Sequence, residues 1–155
     1  MTHVGAQSKI LKASAELKSS LENSGRRERF CPTQVLFRED GDNTGVFLLV
    51  KGRICMSVKG LPKLDRLFSV GSVLGLPSTF TGHAYSLTAE AVTEADVVHV
   101  PAEAFLQLMR ERADLCREAT EMLGREVTFS QSALAERRKQ TASRKLAATQ
   151  FAVIS

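Results

Sequence analysis

The stretch QVLFREDGDNTGVFLLVKGRICMSVK, residues 34–59, decides the fold. Apolar runs at 34–38 and 46–50 flank the turn residues Gly41-Asp42-Asn43, and a third run, 53–59, follows Lys51-Gly52. Short β-branched and apolar runs broken by turn residues are the pattern of an all-β unit. Glycine tolerates the positive φ that tight turns need, so Lys51-Gly52 predicts a two-residue hairpin. The rhythm continues through runs at 64–70, 85–92 and 96–100, separated by Gly60-Leu61-Pro62, Gly71-Ser72 and Thr93-Glu94. One stretch, GSVLGLPSTFTG (71–82), is too rich in Gly, Ser and Thr for a strand and too apolar for a solvent-facing loop. It predicts a short helix inside a loop that packs on the sheet. Loops held by a rigid β scaffold are where binding residues collect.

Helices flank this unit. Ile10, Leu11, Ala15, Leu17 and Leu21 recur at helical spacing over 7–22, and Asn23-Ser24-Gly25 ends the run. Pro101 stands where a helix starts, followed by an apolar face of Ala104, Phe105, Leu108 and Met109. Asp114 is an N-cap residue type, and no proline interrupts the chain from there to Gln140. A helix over 114–140 would span roughly 40 Å, longer than one small β unit needs. Cys116, Thr120, Leu123, Val127, Ser130 and Leu134 form a coiled-coil-like seam along it. A second stripe, Leu115, Ala119, Met122, Phe129 and Ala133, lies beside the first. One face can pack on the β unit while the other meets a partner helix, and Gly124 would let a backbone or ligand approach closely.

Length and composition agree with one folded domain. The chain has 155 residues, 43% hydrophobic and 25% charged, which argues against disorder along its length. No apolar run approaches the ~20 residues of a membrane span, and the N-terminus has no secretory h-region, so a cytoplasmic protein is expected. Cys31, Cys55 and Cys116 form neither a disulfide framework nor a CxxC pair and are expected to be buried or half-buried free thiols. The net charge of +4 resides within 136–145, where Arg137, Arg138, Lys139, Arg144 and Lys145 stand against Glu136. A neutral body with a short basic tail is not a nucleic-acid footprint, and that tail reads as a solvated helix end.

The order helix, β unit with embedded loop-helix, short helix, long helix is similar to the effector domain of the Crp/Fnr regulators. The resemblance is carried by residues 35–42 (VLFREDGD), 46–54 (VFLLVKGRI), 71–91 and 95–101 (ADVVHVP), and it covers about 20–140. It implies an α+β fold: a cyclic-nucleotide-binding-like β-roll (a double-stranded β-helix, or jelly roll) with an N-terminal helix and a long dimerisation helix. The expected organisation is a helical segment (1–24), a β-roll sensor (25–113), a dimerisation helix (114–140) and a tail (141–155). Crp/Fnr regulators continue into a winged helix-turn-helix domain of roughly 70 residues. Residues 141–155 accommodate only its first helix, 142–151, capped by Thr141. The resemblance therefore implies a DNA partner only where such a domain is supplied. A truncated gene and a stand-alone sensor both stay open.

Cyclic-nucleotide-binding members carry a Gly-Glu pair in the embedded loop and, further on, an Arg next to Ser or Thr. Glu accepts from the ribose hydroxyl, and Arg holds the cyclic phosphate. Here Gly75 matches, but Leu76 replaces the Glu and Tyr85 replaces the Arg, beside Ser86. No Arg or Lys occurs between Arg66 and Arg110. Each lost charged hydrogen bond is worth roughly 1.5–3 kcal/mol, which argues against tight binding of a cyclic nucleotide. The candidate pocket comprises Gly75, Leu76, Ser78, Thr79, Tyr85, Ser86 and Leu87, faced by Thr120, Leu123 and Gly124 of the long helix. Its hydroxyls and apolar walls suit a neutral or weakly polar small molecule. The alternatives are a cavity filled by its own side chains, leaving a dimerisation or interaction module, and a cyclic-nucleotide binder with an atypical cassette. Tyr85 itself reads as a core aromatic with a satisfied hydroxyl. The interface expected for a homodimer is Cys116, Thr120, Leu123, Val127, Ser130 and Leu134.

Other chemistries lack their residues. One cysteine before residue 50 cannot supply an iron–sulfur cluster. Haem would need the loop residue His83 with Met122 or Cys116, without any CxxCH motif, so no cofactor is expected. His3, His83 and His99 are too few and too scattered for a metal-dependent cupin enzyme. No nucleophile triad, P-loop or GxGxxG is present, and a non-enzymatic role is expected.

Overall fold

The computed structural model describes residues 12–62, 65–124, 135, 138, 139, 141 and 142. Helix α1 (Ala15–Ser24) leads into β1 (Arg26–Phe30), β2 (Val35–Phe37), β3 (Gly45–Lys51), β4 (Ile54–Ser57), β5 (Arg66–Phe68) and β6 (Val73–Leu74). After them come α2 (Leu76–Thr81), β7 (Thr88–Ala91), β8 (Ala95–Pro101) and α3 (Ala102–Glu111). A further helix, α4, covers 113–124, and the described residues from 135 to 142 are also helical. The strands form two antiparallel sheets, ordered β1-β8-β3-β6 and β2-β7-β4-β5. No helix among the described residues is long and apolar enough to cross a membrane.

Two cores explain why 46–50 is apolar without interruption and why 97–100 is apolar but for His99. Side chains alternate across a strand, so a strand buried on both faces needs apolar residues at every position. Phe47 and Leu49 of β3 and Ala95 and Val97 of β8 enter the core between the sheets, with Ile54, Met56, Phe68 and Leu87. Val46, Leu48, Val98 and Val100 face the other way, against Leu17, Leu21, Phe105, Met109, Leu115, Ala119 and Met122 of the helices. Burying each such aliphatic side chain contributes roughly 1.5–3 kcal/mol.

Several expectations are corrected. The Lys51-Gly52 step is not a hairpin: β3 pairs with β6 and β8, whereas β4 pairs with β5 and β7. Gly52 does take a positive φ of 91°, but the step carries the chain from one sheet to the other. A Cβ there would lie 2.3 Å from the Glu94 carbonyl oxygen, so glycine is required. Strand β1, sequence RRERF, was not expected from an apolar pattern. It is an edge strand with exposed charges, which such positions tolerate. The two-residue β6 lies inside the stretch read as loop.

Helix α1 starts later than its periodicity predicts. Lys12 to Ser14 are not helical; Lys12 donates to Ser69 Oγ (2.7 Å) and the Val70 carbonyl (3.0 Å). Ser14 is the N-cap, its hydroxyl accepting from Leu17 N at 3.2 Å while donating to Glu118 at 2.7 Å. That pair ties the start of α1 to α4. Ser14→Ala is expected to cost about 1 kcal/mol of stability, read as a lower urea midpoint at an unchanged slope. Helix α4 starts one residue before the expected cap: the Cys116 amide bonds the Arg112 carbonyl (2.9 Å), which leaves Asp114 in the first turn. Arg112 bridges Asp114 (2.8 Å) and Glu16 (2.7 Å), and its guanidinium holds the Asp114 carboxyl below the usual range.

Residues 7–11 of the first expected helix, Val127, Phe129, Ser130, Ala133 and Leu134 of the long one, and nearly all of 142–151 lie outside the described residues. Within α4, Leu115, Ala119 and Met122 are buried against the helix-side core. On the neighbouring seam Cys116 and Leu123 are half-buried and Thr120 is exposed.

Candidate functional site

The embedded loop is built as its composition predicts. Strand β6 ends at Gly75, whose φ of 88° turns the chain into α2, with Pro77 in the first turn, and Gly82 closes it. Short hydroxyl residues serve the loop itself: Thr79 Oγ1 lies 3.2 Å from Asn43 Nδ2, and Thr81 Oγ1 donates to the Pro77 carbonyl at 2.9 Å. Ser78 and Thr79 are buried, and Ser86 is exposed.

The candidate residues do not converge on one space. Leu76 is buried in the helix-side core, whereas Tyr85 and Leu87 belong to the core between the sheets. Thr120 and Gly124 are exposed, and a Cβ at Gly124 would meet no atom within 4 Å.

Tyr85, at the position where cyclic-nucleotide-binding members carry Arg, is 2% exposed. Its ring stacks on Phe37 at 4.0 Å and 19°. Its hydroxyl donates to the Gly45 carbonyl at 2.7 Å and accepts from the amides of Thr44 and Gly45, both at 3.1 Å. The Cε1 edge of the same ring lies 3.2 Å from where a Cβ at Gly75 would stand. Every polar atom of the side chain is therefore committed to the protein, which removes the desolvation penalty of burying a phenol. Phe37, Thr44 and Gly45 escape sequence reasoning, because 40 residues separate Gly45 from Tyr85.

A second polar feature lies at the β1 end of the larger core. A cavity of about 420 Å³ is lined by Ser24, Gly25, Arg26, Glu28, His99 and Pro101. The β1–β8 register sets Arg26 opposite His99. His99 Nε2 lies 2.9 Å from the Thr44 carbonyl, and its Nδ1 lies 3.5 Å from Glu28 Oε2. Its ring stacks on Phe47 at 4.5 Å. The sequence points to His99 only as an edge or core histidine. Arg26 and Glu28 go unnoticed there, since their strand has no apolar signature.

The thiols are free; Cys55 and Cys116 are half-buried as expected, whereas Cys31 is exposed, just beyond the edge strand β1. Burial, with Asp65 and Glu90 nearby, pushes the Cys55 thiol up, so it is not a reactive thiolate at neutral pH. No cluster of three or more His, Cys, Asp or Glu among the described residues is placed to hold a metal ion.

Comparison with known proteins is consistent with this architecture. The sequence pattern of the cyclic nucleotide-binding domain matches residues 27–112. No curated protein matches the chain. A solved structure from a cyclic-GMP-dependent signalling pathway regulating bacterial phytopathogenesis is similar at a TM-score of 0.63 and 21% identity. The match covers 77% of this chain and 94% of that one. The c-di-GMP-responsive global regulator CLP of Xanthomonas campestris is similar at 0.63 and 12% identity, covering 76% of this chain and 59% of that one. The Thermus thermophilus catabolite activator protein gives 0.57 at 19% identity, covering 89% of this chain and 61% of that one. The chain thus spans about three-fifths of the length of these last two regulators. With the pattern matched over more than half its length and a β-roll shared with Crp/Fnr-type regulators, the chain belongs to the cyclic nucleotide-binding domain family.

Proposed function

We propose that this chain is a regulatory domain that pairs with a second copy along α4 and acts by binding rather than by catalysis. In this reading the usual place for a cyclic phosphate is closed from within by Tyr85. The observation that carries the reading is the Tyr85 hydroxyl, which is bonded to Gly45 and Thr44 at the position where a phosphate-holding Arg would stand. A cyclic nucleotide would have to displace a stacked, fully satisfied ring, with neither a Glu at Leu76 nor a cation from Leu67 to Met109 to compensate.

Thermal unfolding with cyclic AMP, cyclic GMP or cyclic di-GMP at millimolar concentration is expected to show no shift in midpoint. A nucleotide at about 100 times its Kd would add about 2.7 kcal/mol. A rise of several degrees with any of the three would overturn the closed-site reading. Pairing rests on Cys116 and Leu123, half-buried beside the stripe already used in the core. Light scattering at micromolar concentration is expected to give twice the mass of one chain. A monomer would remove the pairing.

A further inference from the structure

The cavity beside His99 carries an arrangement of donors and acceptors that the proposed closed site leaves unexplained. A carbonyl oxygen only accepts, so His99 Nε2 donates to Thr44 at 2.9 Å. Its Nδ1 faces Glu28 Oε2, 3.5 Å away. The Glu28 carboxylate has no shorter polar contact among the described residues and keeps lone pairs for an N–H or O–H donor from a third group. Arg26 supplies the complementary need. Of the three arginines of β1, Arg27 and Arg29 pair with Asp96 at 3.9 and 3.2 Å. Arg26 has no carboxylate partner among the described residues and lines the cavity. Its planar fork matches a carboxylate.

We infer that this cavity binds a small carboxylate that also carries a hydrogen-bond donor, that is, an α-amino or α-hydroxy acid. The carboxylate lies on Arg26, and the ammonium or hydroxyl lies between Glu28 and His99. A volume of about 420 Å³ holds a molecule of this class and falls within the usual range of ligand pockets. The site is also wired to Tyr85. The Thr44 carbonyl takes the His99 bond while the Thr44 amide bonds the Tyr85 hydroxyl. The rings of His99, Phe47, Phe37 and Tyr85 follow one another at centroid spacings of 4.5, 5.6 and 4.0 Å. The inference stands beside the closed-site reading and uses none of the same residues for contact.

The test is amide and imidazole NMR on the full, isotope-labelled chain, titrated with glycine, L-serine, L-lactate and L-malate. Acetate and methylamine serve as single-group controls. At least one of the acids is expected to give saturable shifts at Gly25, Glu28 and His99, with acetate and methylamine weaker by about tenfold or more. Arg26→Gln and Glu28→Gln, both on an edge strand, are each expected to weaken that response by about tenfold or more while the remaining spectrum superimposes. Silence at these residues towards all four acids would overturn the inference, as would an undiminished response in Arg26→Gln. Binding of a cyclic nucleotide at Gly75 would instead overturn the closed-site reading and leave this one standing.

Discussion

Tyr85→Ala is expected to destabilise the protein by about 3–5 kcal/mol, the usual cost of truncating a buried aromatic. The ring is 2% exposed and stacked on Phe37, so a cavity opens between the sheets where neighbours cannot collapse freely. The Gly45 carbonyl and the amides of Thr44 and Gly45 lose their shared partner at the same time. Tyr85→Phe separates the two contributions. It keeps the stack and removes the hydroxyl, so its cost should be about 1–3 kcal/mol, that of leaving buried polar groups unpaired. Urea unfolding of the three proteins measures both differences. If Tyr85→Phe were as costly as Tyr85→Ala, the hydroxyl rather than the ring would hold the site shut. If both were within about 0.5 kcal/mol of the parent, as surface substitutions usually are, Tyr85 would not be a core residue at all.

Phe105→Ala is expected to cost a similar 3–5 kcal/mol, through the other core. Phe105 is 1% exposed and meets Phe80 edge-to-face, with centroids 5.4 Å apart at 76°. It holds α3 against Val46, Leu48 and Val100 and shares that core with Leu17, Leu115 and Met122. Its loss should therefore loosen α1 and α4 as well as α3. Amide hydrogen exchange distinguishes the two substitutions. Protection across 113–124 should fall in Phe105→Ala well before it falls in Tyr85→Ala. Equal loss in both would mean that the two cores open as a single cooperative unit.

The sequence conveys the features that depend on local pattern. Strand β3 is legible because burial on both faces forces an unbroken apolar run, and β8 through Val97, Val98 and Val100 around His99. Helix α2 is legible because its residues are too polar for a strand and too apolar for open solvent. The departures from the family's cassette at Leu76 and Tyr85 are visible as soon as the stretch is read beside Gly75. What stays hidden depends on contacts made late in the chain's path. Gly52 has the positive φ its type suggests, yet pairing across sheets, not the turn, decides the partner of β4. Strand β1 is invisible because hydrogen bonds to β8, rather than apolar side chains, make it a strand. With β1 missed, Arg26 and Glu28 could not be placed beside His99. The start of α1 is hidden in part for a similar reason: Ser14, whose hydroxyl caps Leu17 N, is also tied to Glu118, which lies 104 residues away.

Strand β3 stands as a party wall between two rooms. Phe47 and Leu49 lean into one, Val46 and Leu48 into the other, and no layer of slack separates them. A push on Phe47 from the His99 side has nowhere to dissipate in a close-packed interior. A shift of the strand would move both of its faces together, and so reach the helices on the far side. Whatever occupies the space around His99 would thus be heard at α4 without touching it.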